Sequence, residues 1–393
     1  MRKVMPSELL LNQPLPWSIY DAHGNLLLKA GHVISIAKHI NNLVLRGTYT
    51  EAPPPRRQPS EADPTDSRTT DPVTVFQTGN APRFHPLSVS ARVDALAMTL
   101  ERLHSRVRTQ SLPSELRTLI RSLAHAVLEA CTDNTDTLLA ACHMDRHHTY
   151  LVVQQLLSTS LVALTAREMD MDDATRMSLV CAALTRDIAL LPVQVQLDRQ
   201  HTPLTAEQIA LLRSHPQRTQ QMLTEMAIDD PLWLEFVLQH HERLDGSGYP
   251  NALQGDAILA GSRLLAITDS YAAMVTPRPN RLGQQPRKAL QALHSDCPHL
   301  YDRSILQQMS DAVTELPPGT LVRLANGEVG VVRTRQPAGE LLDVWLIYND
   351  NGMPLMRPKR CNTTEATYAI TDILRVEECR SAALVMKRLW TQS

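Results

Sequence analysis

From Leu87 to Thr276 apolar side chains return every three or four residues, and only short polar joints interrupt the pattern. Val89, Val93, Leu96, Leu100 and Leu103 form one stripe, and Leu116, Leu119, Ile120, Leu123, Val127 and Leu128 form another. Helices are predicted throughout 87–144 and over 150–168, 174–191, 205–226, 232–241 and 261–276. Stripes of this kind are buried only against other helices, so the middle of the chain is expected to be all-α.

The ends have a different texture. Ile19-Tyr20 and Leu26-Leu27-Leu28 flank the turn signal Asp21 to Asn25, and a short helix is predicted near 36–45, which together read as a small α+β unit over 1–52. Residues 53–86 are rich in Pro, Thr, Asp, Arg and Ser and read as an extended linker. After Leu316-Pro317-Pro318-Gly319 the apolar runs shorten, alternate and are separated by Asn-Gly and Pro-Ala-Gly turns. A small β-rich extension is predicted for 316–393, closed by a short basic helix at 382–390. The expected order is thus 1–52, the linker 53–86, a helical lead-in 87–146, an all-α domain 147–315 and the extension 316–393, in a mainly α protein.

Composition narrows the partners. With 39 basic against 41 acidic residues there is no basic footprint for nucleic acid or an anionic membrane, and aromatics at 4% offer few stacking platforms for single strands. The six cysteines are scattered without a Cys-x-x-Cys pair, as reduced thiols are, so a cytoplasmic location is expected. No run reads as long and apolar enough to span a bilayer, and Met1 to Pro6 lead into no signal-like core.

The densest chemistry lies in His240-His241-Glu242-Arg243-Leu244-Asp245-Gly246-Ser247-Gly248-Tyr249-Pro250. Two imidazoles are expected at the inner end of a helix that the glycines terminate. Two carboxylates also fall on apolar stripes, Asp187 with Val180, Ala183, Leu184 and Leu191, and Asp269 with Leu265 and Ala272. His215, between Ser214 and Pro216, reads as an imidazole at a helix start. Together these groups suffice for a metal site. Each taken alone has a plainer reading, since a buried Asp usually pairs with an arginine, and Arg186, Arg213 and Arg218 are at hand. Cys142, His143, His147 and His148 form another cluster, which reads as a solvated helix end rather than a closed zinc set.

His-His-Glu-x-x-Asp-Gly-x-Gly-Tyr-Pro resembles the signature of the HD-GYP domains, a bacterial branch of the HD phosphohydrolases that hydrolyse cyclic di-GMP at a centre of two or three metal ions. Residues 150–154, Ala182 to Ile188, Pro203 to Glu207 with Ser214 to Pro216, and Ile267 to Met274 with Arg278 to Arg281 are similar to the family's other segments, so the resemblance covers about 145–315. It implies an HD-GYP-like helical core. It also implies metal ligands at Asp187, His215, His240, His241 and Asp269, and ligand-binding residues at Tyr249, Arg278 and Arg281, with Arg186 either pairing with Asp187 or meeting a ligand phosphate.

The departures are at the site itself. Gln154 and Arg186 stand where the family has metal-binding histidines and Leu190 where it has a lysine, with Thr219 and Ala272 replacing a glycine and an aspartate. Exchanging two ligand positions for a neutral amide and a permanent cation removes donors and adds a charge that repels a nearby divalent ion, so one metal position is expected to be empty. The cofactor implied is one divalent ion, iron or manganese, or none. No catalytic residue is assigned, and Asp187, Glu242 and Asp245 are the candidates for acid–base work. The expected function is a degenerate HD-GYP protein in cyclic di-GMP signalling that binds the nucleotide, a partner such as a GGDEF-type cyclase through the Gly-Tyr-Pro turn, or both. A residual metal-dependent phosphodiesterase and a structural adaptor without metal or nucleotide are the alternatives.

Overall fold

The computed structural model describes residues 87–109, 115–200, 202–278, 281–336, 340–379 and 389–390, with 2–3, 15, 17–20, 26–32 and 49–50 from the first part of the chain. The expected helix near 36–45, the stretch 53–86 and most of the closing helix at 382–390 lie outside the described residues. The chain divides into two compact units, Met1–Asp71 and Pro72–Ser393. The first contains a four-stranded antiparallel sheet in which β1 (Arg2–Lys3), β2 (Ile19–Tyr20), β3 (Leu26–Leu28) and β4 (Tyr49–Thr50) run in the order β1-β4-β2-β3.

The second unit is led by ten α-helices among the described residues: α1 Val89–Arg108, α2 Leu116–Met144, α3 Tyr150–Glu168, α4 Asp173–Ala183, α5 Leu191–Arg199, α6 Ala206–Glu225, α7 Pro231–Gln239, α8 Ala260–Val275, α9 Pro286–Ser295 and α10 Arg303–Val313. Local chemistry starts several of them. Asp172 accepts from Thr175 N–H, Thr205 and Gln208 form a capping box, and Asp230 accepts from Trp233 N–H with Pro231 in the first turn. Every residue of α3 from Val152 to Ala166 is buried. A helix buried on all sides belongs at the centre, and α3 packs against α2, α4, α8 and α10. This fixes Gln154 and Gln155 inside the core.

Three helix boundaries differ from the expected ones, and each difference shapes the site. The predicted 174–191 helix stops at Ala183, turns through Leu184 to Asp187, and resumes after a 3-10 turn at Ile188–Leu190. Pro192 explains the restart: inside a helix its ring would clash with the preceding turn, whereas in the first turn of α5 it is tolerated. His215 is not at a helix start but in the middle of α6, with Pro216 inside the same helix. The third helix, α7, ends at Gln239, so His240 caps it, and the histidines themselves rather than the glycines begin the loop. One stretch, Asp173–Gln194, does reach the length and hydropathy of a membrane span, contrary to the reading of the sequence. It is 78% buried inside the fold and broken by the turn at Leu184–Asp187, so its apolar surface serves the protein core.

Behind the helices lies a five-stranded antiparallel sheet of β5 (Leu321–Leu324), β6 (Val329–Thr334), β7 (Asp343–Tyr348), β8 (Pro354–Cys361) and β9 (Ile370–Leu374), in the order β8-β7-β6-β5-β9. Leu321, Val329, Val331 and Ile347 pack with Ala140 and Met144 of α2. Polar contacts fix the same seam: Arg335 Nε donates to Asp136 at 2.7 Å, and Gln285 Nε2 donates to the Ile373 carbonyl at 2.7 Å.

Two histidines, His104 buried and His143 half-buried, are structural parts of the helical core. His104 Nε2 is 2.9 Å from Gln155 Oε1, while His143 Nδ1 donates to the Leu139 carbonyl at 3.0 Å and its Nε2 accepts from Tyr271 Oη at 3.2 Å. Burial pushes both down to about 4. They stay neutral when folded but take up protons when unfolded, so their stability contribution is complete above about pH 6.5 and is lost as pH falls toward 4. Each costs up to about 1.4 kcal/mol per pH unit across that window. His148, raised by its bond to Asp145, changes in the opposite sense and offsets part of the loss. Thermal melts are expected to show a midpoint several degrees lower at pH 5 than at pH 7, with a shallower decline in His104→Gln.

Candidate metal centre

His215 from α6 and His240 and His241 from the end of α7 converge, and their ligand atoms all lie within 4.8 Å of one another. Pro216 helps to aim the first of them. Because Pro216 has no N–H, the Leu212 carbonyl is released from the helix ladder, and His215 Nδ1 donates to it at 2.6 Å. His240 makes the same bond to the Val237 carbonyl at 2.6 Å. Both rings are thereby fixed as Nδ1–H tautomers, with the Nε2 lone pairs pointing inward.

These two Nε2 atoms face each other at 3.2 Å. Two acceptor nitrogens at that distance repel unless a cation lies between them or one is protonated. On His240 protonation is disfavoured, since burial and then the neighbouring His215 bring it down to about 4, and burial and then His240 hold the adjacent His241 well below its ordinary value. Asp187 Oδ1 lies 3.4 Å from His215 Nε2, adding a carboxylate oxygen to the cluster. Burial alone would raise Asp187, but the Arg186 guanidinium opposes this and holds the carboxylate ionised. Three imidazole nitrogens and one carboxylate fit a divalent ion of intermediate hardness. The outward bonds of His215 and His240 to main-chain carbonyls are the supporting contacts such ligands require.

The turn after His241 is clamped by its own acids. Glu242, 2% exposed, accepts Asn251 N–H at 2.7 Å and Leu253 N–H at 3.0 Å through its two oxygens. Asp245 accepts Ser247 N–H at 2.9 Å and is exposed. Both acid–base candidates in the motif are therefore turned toward the loop backbone. The clamp brings Tyr249 over the cluster, its ring 4.8 Å from that of His241, and Tyr249 N–H donates to the His241 carbonyl at 3.2 Å. Gly248 makes this fold of the loop feasible: a Cβ there would lie 2.4 Å from Arg243 N and 2.5 Å from Glu242 Cα. Gly248→Ala is expected to open the turn. Its readout is loss of metal affinity with little change in helical circular dichroism.

The other side of the site is occupied by protein. Arg186 is fully buried, and its Nη1 donates to the Ala183 carbonyl at 2.5 Å. Its Nη2 donates to Asp269 Oδ1 at 2.6 Å and to Gln154 Oε1 at 3.2 Å. Its Nε donates to Asp269 Oδ1 at 3.1 Å and lies 3.3 Å from Asp187 Oδ2. Gln154 Nε2 adds a 2.5 Å bond to the same Asp269 oxygen. Burial draws the arginine's pKa down, yet Asp269 and Asp187 more than reverse this, so the guanidinium is cationic. Leu190 and Ala272 are buried and apolar. An ion does not fit among Gln154, Arg186 and Asp269, because a permanent cation already fills that place. Arg186 pairs with Asp187 and faces inward, and Asp269 is engaged by the arginine and the amide rather than by the histidines.

Arg278 and Arg281 follow α8, joined by reciprocal backbone bonds of 2.8 and 3.2 Å. Arg278 Nη2 donates to Tyr150 Oη at 2.8 Å, and its guanidinium carbon lies 4.7 Å from the centre of the Tyr150 ring. Arg281 donates to the Ala273 carbonyl.

A family model described as HD domain matches residues 93–305, more than half of the chain and all of the site. The chain belongs to the HD domain family. The intact His-His-Glu to Gly-Tyr-Pro signature places it in the HD-GYP branch. Similar curated proteins include a cyclic di-GMP phosphodiesterase of Pseudomonas aeruginosa, 29% identical over 197 residues, which are 50% of this chain and 47% of that protein. A 3'3'-cGAMP-specific phosphodiesterase of Vibrio cholerae is 29% identical over 154 residues, covering 39% and 33% of the two chains. The chain thus spans about half or less of the length of these relatives. Among solved structures, one titled as an HDG"Y"P protein from Bdellovibrio bacteriovorus has a TM-score of 0.50 at 15% identity, covering 79% of this chain and 98% of that one, and shows the shared fold.

Two features of this HD-GYP protein were not legible as chemistry in its sequence. Tyr150 reads only as a helix start, yet it seats Arg278. The Cys142 cluster also disperses: Cys142 Sγ meets Ser160 Oγ at 3.6 Å, His143 is spent on Leu139 and Tyr271, and His148 Nδ1 bonds Asp145 at 2.6 Å. The i,i+4 spacing of His143 and His147 could not reveal that His143 turns into the core.

Proposed function

We propose that this HD-GYP protein acts in cyclic di-GMP signalling by binding the nucleotide at a site that holds one divalent ion and is impaired in hydrolysis. The observation that carries this reading is the asymmetry of the site: His215, His240, His241 and Asp187 converge on one side, while Arg186 fills the other. Asp187, His215, His240 and His241 would hold iron or manganese, which when bound supplies Lewis acidity toward a phosphate oxygen. Tyr249, Arg278 and Arg281 are the assigned nucleotide contacts, and an arginine pair suits phosphate or a guanine edge. Glu242 is committed to the turn through both oxygens and is not free to move a proton at the scissile phosphate, while Asp245 holds the turn through one oxygen and faces solvent. The exposed residues of the Gly-Tyr-Pro turn are the surface assigned to a signalling partner, for which a GGDEF-type cyclase is the class to test.

Calorimetry of the manganese- or iron-loaded protein with cyclic di-GMP, alongside metal analysis and a hydrolysis assay, tests the reading. Expected are at most one ion per chain, measurable nucleotide binding, and turnover far below that of an active HD-GYP enzyme assayed in parallel. Robust metal-dependent turnover lost on His241→Ala would establish the residual phosphodiesterase instead, a reading that the complete three-histidine set favours. No ion and no binding heat would leave only an adaptor.

A further inference from the structure

Buried carboxylates require a counter-charge, and at this site the protein supplies one from its own chain. Asp187 points one oxygen at His215 and the other at Arg186, and Asp269 receives two arginine contacts and one from Gln154. We infer that the Arg186 guanidinium is a tethered counter-ion that occupies a latent second divalent-cation site formed by Asp187, Asp269 and the Gln154 carbonyl. The donors that remain once the arginine is removed are all oxygens: two carboxylates and an amide, a hard set suited to manganese or magnesium. Asp187 has an oxygen for each side, so it could serve both positions at once. The arginine has no exposed surface, and its Nη1 is anchored to the turn at Ala183, so a free ion cannot compete with it while it is present. The count of bound ions is therefore set by one side chain, and the site is neutralised on this side whatever the metal supply.

The inference takes its baseline of one ion from the function proposed above, and the test separates the two. The full chain and its Arg186→Gln variant are loaded with manganese, cleared of free metal and analysed for bound metal. Arg186→Gln is expected to hold one more ion per chain than the parent, and its melting temperature should rise more steeply with added manganese. Arg186→Gln/Asp269→Asn should return to the parent count. A folded Arg186→Gln variant with an unchanged count overturns the inference. If Arg186→Gln folds only with manganese, the ion has replaced the guanidinium and the inference holds. If it fails to fold both with manganese and with chelator, an ion cannot take the arginine's place and the inference falls. A parent protein without any ion defeats the one-ion reading, whereas the gain of an ion on removing Arg186 can still be read.

Discussion

His240→Ala is expected to weaken binding of the proposed divalent ion by about 100-fold or more, since loss of a ligand exceeds the effect typical of losing a contact that supports one. His240 is fully buried, and its ring is held by the Val237 carbonyl with Nε2 facing that of His215 across 3.2 Å. Alanine removes both the lone pair and the packing that orients its neighbours. Metal analysis after gel filtration gives the readout, with helical circular dichroism as the control for folding. A variant that retains parent-level metal would remove the three-histidine cluster from consideration as the ligand set.

Trp233→Ala should produce the largest loss of stability of any single truncation near the site. The side chain is fully buried in the contact of α7 with α4, and its Nε1 donates to Thr185 Oγ1 at 2.8 Å. Thr185 also donates to the Cys181 carbonyl at 2.8 Å, so the tryptophan supports the turn that presents Arg186 and Asp187. Emptying this space is expected to cost about 3–5 kcal/mol. A midpoint shift on the order of 10 °C follows for the helical unit. Trp233→Phe keeps most of the apolar burial and loses the hydrogen bond, so it should cost about 1 kcal/mol. Equal losses in the two variants would show that the hydrogen bond rather than packing holds the corner.

Much of the fold could be read from spacing because helical periodicity is a local property. The limits of α3 and the capping box at Thr205 depend on residues within a turn or two of each other. Breaks were harder to read. Ala174 to Leu191 has the composition of one helix, yet the chain turns at Leu184 because Arg186 and Asp187 find partners on α3, α6 and α8. The orientation of His143, similarly, depends on Tyr271, 128 residues away.

At the site, residue order alone established which groups are present: two adjacent histidines, a turn with glycines at 246 and 248, and an arginine and a glutamine at positions where the family resemblance implies histidines. The tertiary structure alone decided how they are used. It directed Glu242 and Asp245 to backbone amides, aimed the Nε2 atoms of His215 and His240 at each other through main-chain bonds, and enclosed Arg186 between two carboxylates. The physical reason is that ligand geometry and charge neutralisation depend on distances between elements far apart in the chain, whereas residue spacing reports only the neighbours within one element.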